Sequence, residues 1–393
     1  MRVCMVAYTF YEGDNRVRRY AETLVRRGYT VDAIVLRQNG SKPLLNVSGV
    51  NVYKIQKRSI DEKRKVDYLL KLLLFLFKSA FTLSRLHLKK RYDLVHVHSV
   101  PDFEVFAALI PKLTGAKVIL DIHDIVPELF ASKFKASYDS MVFKSLVLME
   151  KLSMLFSDHV IVANHIWYKR LIERSVPAKK CTVVMNHPDP YIFVQGKKQC
   201  QKPNTEKKFT MMYPGTLSIH QGLETAIRAV DLLRDTIPQL QFQIYGKGTD
   251  EQYFRDLIGE LNLENRVFIN EVVAIEKLPQ VISGADIGVE PKLKRSFGNE
   301  AFSTKILEFM LMGIPVIASD TLVHTHYFTQ NQILFFRSED HRDLADRILT
   351  LKRNRNLRGK MIENSLNYMK NNNWETRKHI YHSLVDTVVK EGV

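Results

Sequence analysis

The chain has 393 residues, 45% hydrophobic and 25% charged, which excludes wholesale disorder and exceeds what one ordinary core accommodates. Its formal net charge of +16 narrows the partners to nucleic acid, an anionic membrane surface or phosphate-bearing substrates. Cys4, Cys181 and Cys200 are odd in number, far apart and without a CxxC pair, which argues against a disulfide framework or structural zinc and fits a reducing cytoplasm.

The opening MRVCMVAYTF runs directly into a strand pattern and lacks the features of a signal peptide, so a cytoplasmic location is expected. Residues 2–8 read as a strand, 15–27 as an amphipathic helix ending before Gly28, and 30–36 and 50–55 as strands. Strands at 93–98, 117–122 and 159–163 follow, with helices between them, an alternation that implies a parallel sheet covered on both faces. The polar, Pro-containing stretch QGKKQCQKPNTEKK reads as a linker, placed at 196–208. The pattern then restarts with strands at 209–213, 240–245, 267–269, 287–290 and 315–318 and helices at 221–233, from 251, at 277–282 and at 302–312. A last helix covers 375–390. The predicted fold is therefore α/β, with two Rossmann-like domains, 1–195 and 209–374, facing across a cleft, and a C-terminal segment, 375–393, packing back on the first. Ligands of such sheets bind outside the carboxyl ends of the strands, and a two-domain cleft can exclude water.

The most informative stretch is EAFSTKILEFMLMGIPVIASD, from Glu300 to Asp320. Glu300 precedes a helix that carries Glu308, with Ser303 or Thr304 as the candidate N-cap. The first turn of such a helix offers free N–H groups and partial positive charge to a phosphate. Lys305 and Glu308, three apart, share a helix face, so a cation and a carboxylate would flank a phosphate-ribose unit. The same spacing also suits a core helix with a surface Glu–Lys pair.

Glu300 to Glu308, followed by Gly313-Ile314-Pro315-Val316, resembles the donor motif of family-4 retaining glycosyltransferases of the GT-B fold, the group 1 type that builds sugar polymers and glycolipids. The resemblance runs along nearly the whole chain. Asp14-Asn15-Arg16-Val17-Arg18-Arg19 with Gly28-Tyr29 is similar to the first loop and helix of that family. Asp121-Ile122-His123-Asp124 with Pro127-Glu128 is similar to its histidine segment, and Tyr213-Pro214-Gly215-Thr216-Leu217 to the glycine turn opening its second domain. The resemblance implies a nucleotide-sugar donor, UDP- or GDP-linked, and a glycan or lipid-linked acceptor. Glu308 would bind the donor ribose, and Glu300 the hydroxyls of the donor sugar. His123 would lie near the transferred sugar. Gly215, Thr216 and Leu217 would offer backbone N–H groups near the pyrophosphate. Gly13, Asp14, Asn15 and His98 would lie on the acceptor side. Neither cofactor nor metal is expected. The family's commoner turn is Gly-Arg-Leu followed by Lys-Gly; here the arginine and lysine positions hold Thr216 and Gln221. A leaving nucleoside diphosphate needs cationic or N–H stabilisation. Lys305 is the expected substitute, with Lys247, Lys294 and Arg295 as further candidates.

Other signals are weaker. The chain has no Asp-x-Asp, and Gly246-Lys247-Gly248 lacks the third glycine of a dinucleotide fingerprint. His96 and His98 share a strand face, with no further ligand at metal spacing along the chain, and are expected to line the sheet edge. No nucleic-acid-binding module is present to account for the charge. Residues 54–92 combine basic clusters with a Leu/Phe-rich run interrupted by Lys71 and Lys78, a poor transmembrane span. They suit either an interfacial helix on the inner face of an anionic membrane or a packing helix with basic ends. The missing arginine and lysine also admit a non-catalytic scaffold subunit, and the two-domain plan a nucleotide-sugar epimerase or hydrolase.

Overall fold

In the computed structural model, which describes residues 1–58, 65–194 and 208–390, the chain divides into two compact units. One is Met1–Asn186 with the return segment Lys378–Val393; the other is His187–Arg377. Apart from Lys208, the stretch read as a linker lies outside the described residues, as does part of the basic segment, 59–64.

The first unit carries strands β1 (Arg2–Ala7), β2 (Thr30–Arg37), β3 (Leu44–Val47), β4 (Val50–Lys57), β5 (Leu94–His98), β6 (Lys117–Ile122), β7 (His159–Val162) and β8 (Cys181–Val183). They are interleaved with helices α1 (Asn15–Arg26), α2 (Lys65–Lys89), α3 (Leu109–Leu113), α4 (Val126–Phe134), α5 (Met141–Phe156) and α6 (His165–Arg174). The sheet order is β3-β4-β2-β1-β5-β6-β7-β8, parallel except where β3 runs against β4. β1 is buried on both faces after Arg2, as a central parallel strand must be. The strand β3, absent from the sequence reading, is a half-exposed hairpin partner. Its turn, Ser48-Gly49, holds both residues at positive φ, the geometry of a two-residue hairpin loop.

The helix α1 shows how local chemistry aims the site. The Asp14 carboxylate accepts from the N–H groups of Arg16 and Val17 at 3.1 Å and starts the helix. Gly28, at φ +83°, ends it. Between them Val17, Tyr20, Ala21 and Leu24 are buried, and Arg16 in the first turn is driven inward with them.

The second unit carries β9 (Phe209–Pro214), β10 (Leu240–Tyr245), β11 (Val267–Asn270), β12 (Ile287–Glu290), β13 (Val316–Ser319) and β14 (Leu334–Phe336). Its helices are α7 (Leu223–Leu232), α8 (Glu251–Glu260), α9 (Leu278–Ile282), α10 (Thr304–Leu311), α11 (Leu322–Tyr327), α12 (His341–Arg353) and α13 (Arg355–Asn371). The all-parallel order β11-β10-β9-β12-β13-β14 is 3-2-1-4-5-6 in the unit's own count, the doubly wound dinucleotide-type arrangement. Chain direction across the sheet reverses between β9 and β12, and in the first sheet between β1 and β5; ligand crevices of such sheets open there. On β12, Gly288 is required for packing: a Cβ would stand 2.5 Å from the Phe309 ring. Its absence lets α10 lie close on β12, which fixes where Lys305 and Glu308 emerge.

The final helix, α14 (Trp374–Lys390), contributes Tyr381, buried against Tyr20 at 4.2 Å between ring centroids. Arg27 Nη2 donates to both Asp386 carboxylate oxygens, Oδ2 at 2.8 Å and Oδ1 at 3.0 Å. Over the described part of 54–92, α2 packs one stripe inward and leaves apolar side chains exposed elsewhere. Phe75, Ser79, Leu83 and His87, at i+4 steps, are buried, while Leu70, Leu74, Phe77, Phe81 and Leu88 are exposed. Among the described residues, no helix is long and apolar enough to cross a membrane.

Candidate functional site

In the first unit the polar groups gather at the carboxyl ends of β5 and β6. His98 and Asp121 face each other in the register of these strands. Asp121 is fully buried and gripped by Arg16 with two parallel bonds, Nε to Oδ2 at 2.8 Å and Nη2 to Oδ1 at 2.7 Å. His123 Nε2 stands 2.9 Å and His98 Nδ1 3.2 Å from the same Oδ2. A carboxylate can only accept, so both nitrogens carry hydrogen. Burial opposes ionisation of Asp121, but Arg16 and His123 beside it hold the carboxyl well below the usual carboxylate range. Burial pushes His96 and His98 down, so both rings are neutral.

These positions correct several expectations. His96 and His98 do not line an open sheet edge: both are buried, stacked at 4.2 Å, with His96 Nδ1 bonded to the Tyr381 hydroxyl at 3.0 Å. A third metal-type group does stand beside them, since Asp121, His96 and His98 place ligand atoms within 4.8 Å of one another. It is distant in sequence, and only strand pairing brings it there. The guanidinium of Arg16, however, already occupies both Asp121 oxygens as the counter-cation. Asp14 is engaged as the α1 cap, with Asn15 the first helical residue, and Gly13 is exposed in the short turn just before it. His123 is the member of this group that reaches the surface, with 21% of its side chain exposed.

In the second unit, the turn after β9 packs against the turn after β10. The Gly215 N–H donates to Tyr245 O at 2.8 Å, and the Leu217 N–H to Lys247 O at 3.2 Å. A Cβ on Gly246 would lie 1.8 Å from Gly215 O, and one on Gly248 2.0 Å from Leu217 O, which is why the Gly-Lys-Gly turn is needed. The expectation of three pyrophosphate-facing amides is thereby corrected: those of Gly215 and Leu217 are used to fix the turn, and Thr216 lies between them.

Lys305, the expected substitute cation, stands beside this turn. From the first turn of α10 it brings Nζ to 3.2 Å from where a Gly215 Cβ would be and 4.9 Å over the Tyr213 ring. Its side chain is 16% exposed, and Glu290 Oε2 lies 3.3 Å away. Burial opposes its charge, but Glu290 and Tyr213 raise its pKa, keeping the ammonium. The other candidates differ. Lys294 pairs with Asp320 at 3.3 Å, Arg295 with Glu339 at 3.0 Å, and Lys247 is exposed on its turn. Ser303 occupies the N-cap position of α10, yet its hydroxyl makes no capping bond. Glu308 is buried on α10 beside Lys305, and Glu300 follows the short turn Phe297–Asn299, half-buried. The carbonyl of Ala301, its neighbour, accepts from Lys292 Nζ at 2.7 Å, and Asn299 Oδ1 accepts from the Leu322 N–H at 2.9 Å, so the loop is pinned on both sides of Glu300.

Arg16, Asp121, Glu290 and Lys292 were not assigned roles by sequence. The signal that could have found them is a carboxylate inside an apolar strand run, VILDI or DIGVE, which requires a buried cation nearby.

Comparison with known proteins bears on the family and the fold. Residues 13–187 match the glycosyl transferase 4-like domain, and residues 195–368 match glycosyl transferases group 1. An uncharacterised glycosyltransferase of Methanocaldococcus jannaschii is 26% identical over 317 residues, covering 76% of this chain and 74% of its own. The O-antigen biosynthesis glycosyltransferase WclY of Escherichia coli is 26% identical over 278 residues, 68% and 71% of the two chains. Among solved structures, the sucrose-phosphate synthase of Thermosynechococcus elongatus matches with a TM-score of 0.78 at 19% identity, over 98% of this chain and 100% of that one. HepE of Anabaena, solved with UDP and glucose, matches with a TM-score of 0.73 at 16% identity, over 98% and 100%. At such identities the solved structures bear on the fold.

Proposed function

We propose a specific reaction for this chain, which belongs to the group 1 glycosyltransferases of the GT-B fold: it moves a sugar from a UDP- or GDP-linked donor to a hydroxyl of a glycan or lipid-linked acceptor, with retention at the anomeric carbon and without a metal. The observation that carries it is Lys305, whose ammonium stands beside the Gly215 turn at the β9–β12 switch point, where a diphosphate needs a cation and the family's usual pair is replaced by Thr216 and Gln221. The bond from the anomeric carbon to the phosphate oxygen breaks with its electron pair on that oxygen, and Lys305 and the Thr216 N–H meet the developing charge. The acceptor oxygen bonds to the same face of the sugar, and its proton passes to the departing phosphate. Glu308 takes the ribose hydroxyls, and Glu300 those of the sugar. In the first unit, His123 offers Nδ1 to a sugar hydroxyl. The relation to an O-antigen enzyme supports a polysaccharide or lipopolysaccharide acceptor, and UDP in the HepE structure makes UDP the first base to test.

The test is thermal unfolding with UDP, GDP or ADP, with and without magnesium, on the wild type and Glu308→Ala. A ligand held only by the folded state raises the midpoint. A shift selective for one base, independent of magnesium and lost in the variant is expected. No shift with any nucleotide overturns the donor site; a shift that needs magnesium overturns metal independence.

We also propose that α2 lies on the anionic face of a membrane. Phe77, Phe81 and Leu88 are about 70% exposed on a helix that also carries Lys71, Lys78, Arg85 and Lys89. The protein is expected to sediment with phosphatidylglycerol vesicles and not with phosphatidylcholine, and Phe77→Ser/Phe81→Ser to stay in the supernatant. Equal binding of variant and wild type would remove α2 from the contact.

A further inference from the structure

We propose that Glu290 is the positioning residue of the donor site: it holds Lys305 at the Gly215 turn and, with Lys292, ties that lysine to the loop carrying Glu300. This rests on the reading of Lys305 as the diphosphate cation.

Glu290 ends β12, next to the switch point with β9, and its side chain is fully buried. Neither carboxylate oxygen receives a hydrogen bond of normal geometry. What surrounds it is charge: Lys305 Nζ at 3.3 Å from Oε2 and Lys292 Nζ at 3.9 Å from Oε1. A buried carboxylate persists only when compensated, so the three groups form one ion triad. Burial opposes ionisation of Glu290, but Lys305 and Lys292 hold its pKa below the usual value. His324 faces the same space and adds no charge, because burial pushes it down to about 4. The triad therefore carries one net positive charge, presented at the turn by the largely covered Lys305.

The two lysines do different things. Lys305 is a flexible stem confined between the Tyr213 ring and Glu290, and a free lysine would sample many positions. The missing Cβ of Gly215 leaves its Nζ room at the turn. Lys292 faces the other way: its Nζ donates to Ala301 O at 2.7 Å, one residue after Glu300. Glu290 thus sets both the phosphate cation and, through Lys292, the segment bearing Glu300. It is too deep to touch substrate, so it acts through the lysines alone.

The experiment is calorimetric titration of UDP or GDP, whichever raises the midpoint, and of the matching monophosphate. It compares the wild type, Glu290→Gln, Lys305→Met and Glu290→Leu/Lys305→Met. Glu290→Gln is expected to weaken diphosphate binding about tenfold while the monophosphate changes by less than about threefold, as for loss of one charge-assisted contact. Lys305→Met should lose as much, and the double variant no more than Lys305→Met alone. Should Glu290→Gln fail to fold, the two lysine variants still decide: equal diphosphate affinities support the proposal, and a further drop in the double variant overturns it. Wild-type diphosphate affinity in Glu290→Gln, or an equal loss for both nucleotides, also overturns it. Unchanged diphosphate binding in Lys305→Met sinks the reading of the lysine itself, a failure distinct from the others.

Discussion

Glu300→Ala is expected to lower turnover by about 10²–10³-fold, the loss typical of removing one group aimed at transition-state charge, with nucleoside diphosphate affinity nearly unchanged. The expectation follows from how the residue is held. Its loop is pinned by Lys292 on the Ala301 carbonyl and by Asn299 on the Leu322 amide, so the carboxylate is placed before substrate arrives. In the proposed site the nucleotide is taken by Lys305 and Glu308 on a different element, α10, and should not sense the change. An interaction made with the reacting sugar lowers kcat and kcat/KM together, whereas loss of uniform binding raises KM alone. Release of nucleoside diphosphate from the sugar nucleotide, measured beside His123→Ala, gives both numbers. Near-normal turnover in both variants would sink the assignment of these residues; diphosphate affinity falling as far as turnover would turn Glu300 into a binding or structural residue.

The fold was legible because its signals are local. Apolar runs such as VCMVA and VILDI, bounded by Gly28 and by polar loops, place most central strands to within a residue or two. Peripheral strands escaped: β3 is half-exposed, β8 and β14 have three residues each, and neither kind repeats long enough to show a period. In the site, Lys305 and Glu308 could be joined by helical spacing, and the structure places that lysine at the turn. Partnerships between helices and distant strands could not be read. Arg16 meets Asp121 across 105 residues, and His96 meets Tyr381 across 285. Such pairs are set by which helix packs on which strand, and that leaves no mark on spacing. The same gap explains the amides of Gly215 and Leu217: a glycine turn reads as a phosphate cradle until the strand beside it is seen to occupy two of its donors.

Arg16→Met is expected to cost about 3–5 kcal/mol of stability at neutral pH, the usual price of leaving one partner of a buried ion pair alone. Asp121 is fully buried and the Arg16 side chain is 6% exposed, so water does little to replace the lost contact. The effect has a pH signature. The folded-state pKa of Asp121 is depressed in the wild type, so the pair's contribution is complete above the unfolded value of about 4 and is lost as pH falls through the folded value. Without the guanidinium, burial acts unopposed by it and raises the carboxyl, so the variant loses stability as pH rises above about 4. Urea unfolding of both proteins should therefore show a gap that widens from pH 4 to pH 7 and narrows as pH falls through the depressed folded-state value of Asp121. A gap independent of pH would mean that the arginine contributes packing rather than charge. Arg16→Met/Asp121→Leu should recover much of the midpoint, since an apolar pair can replace a buried ionic one. It should not recover turnover, because His123 would lose the acceptor at 2.9 Å that sets its tautomer and aims its ring.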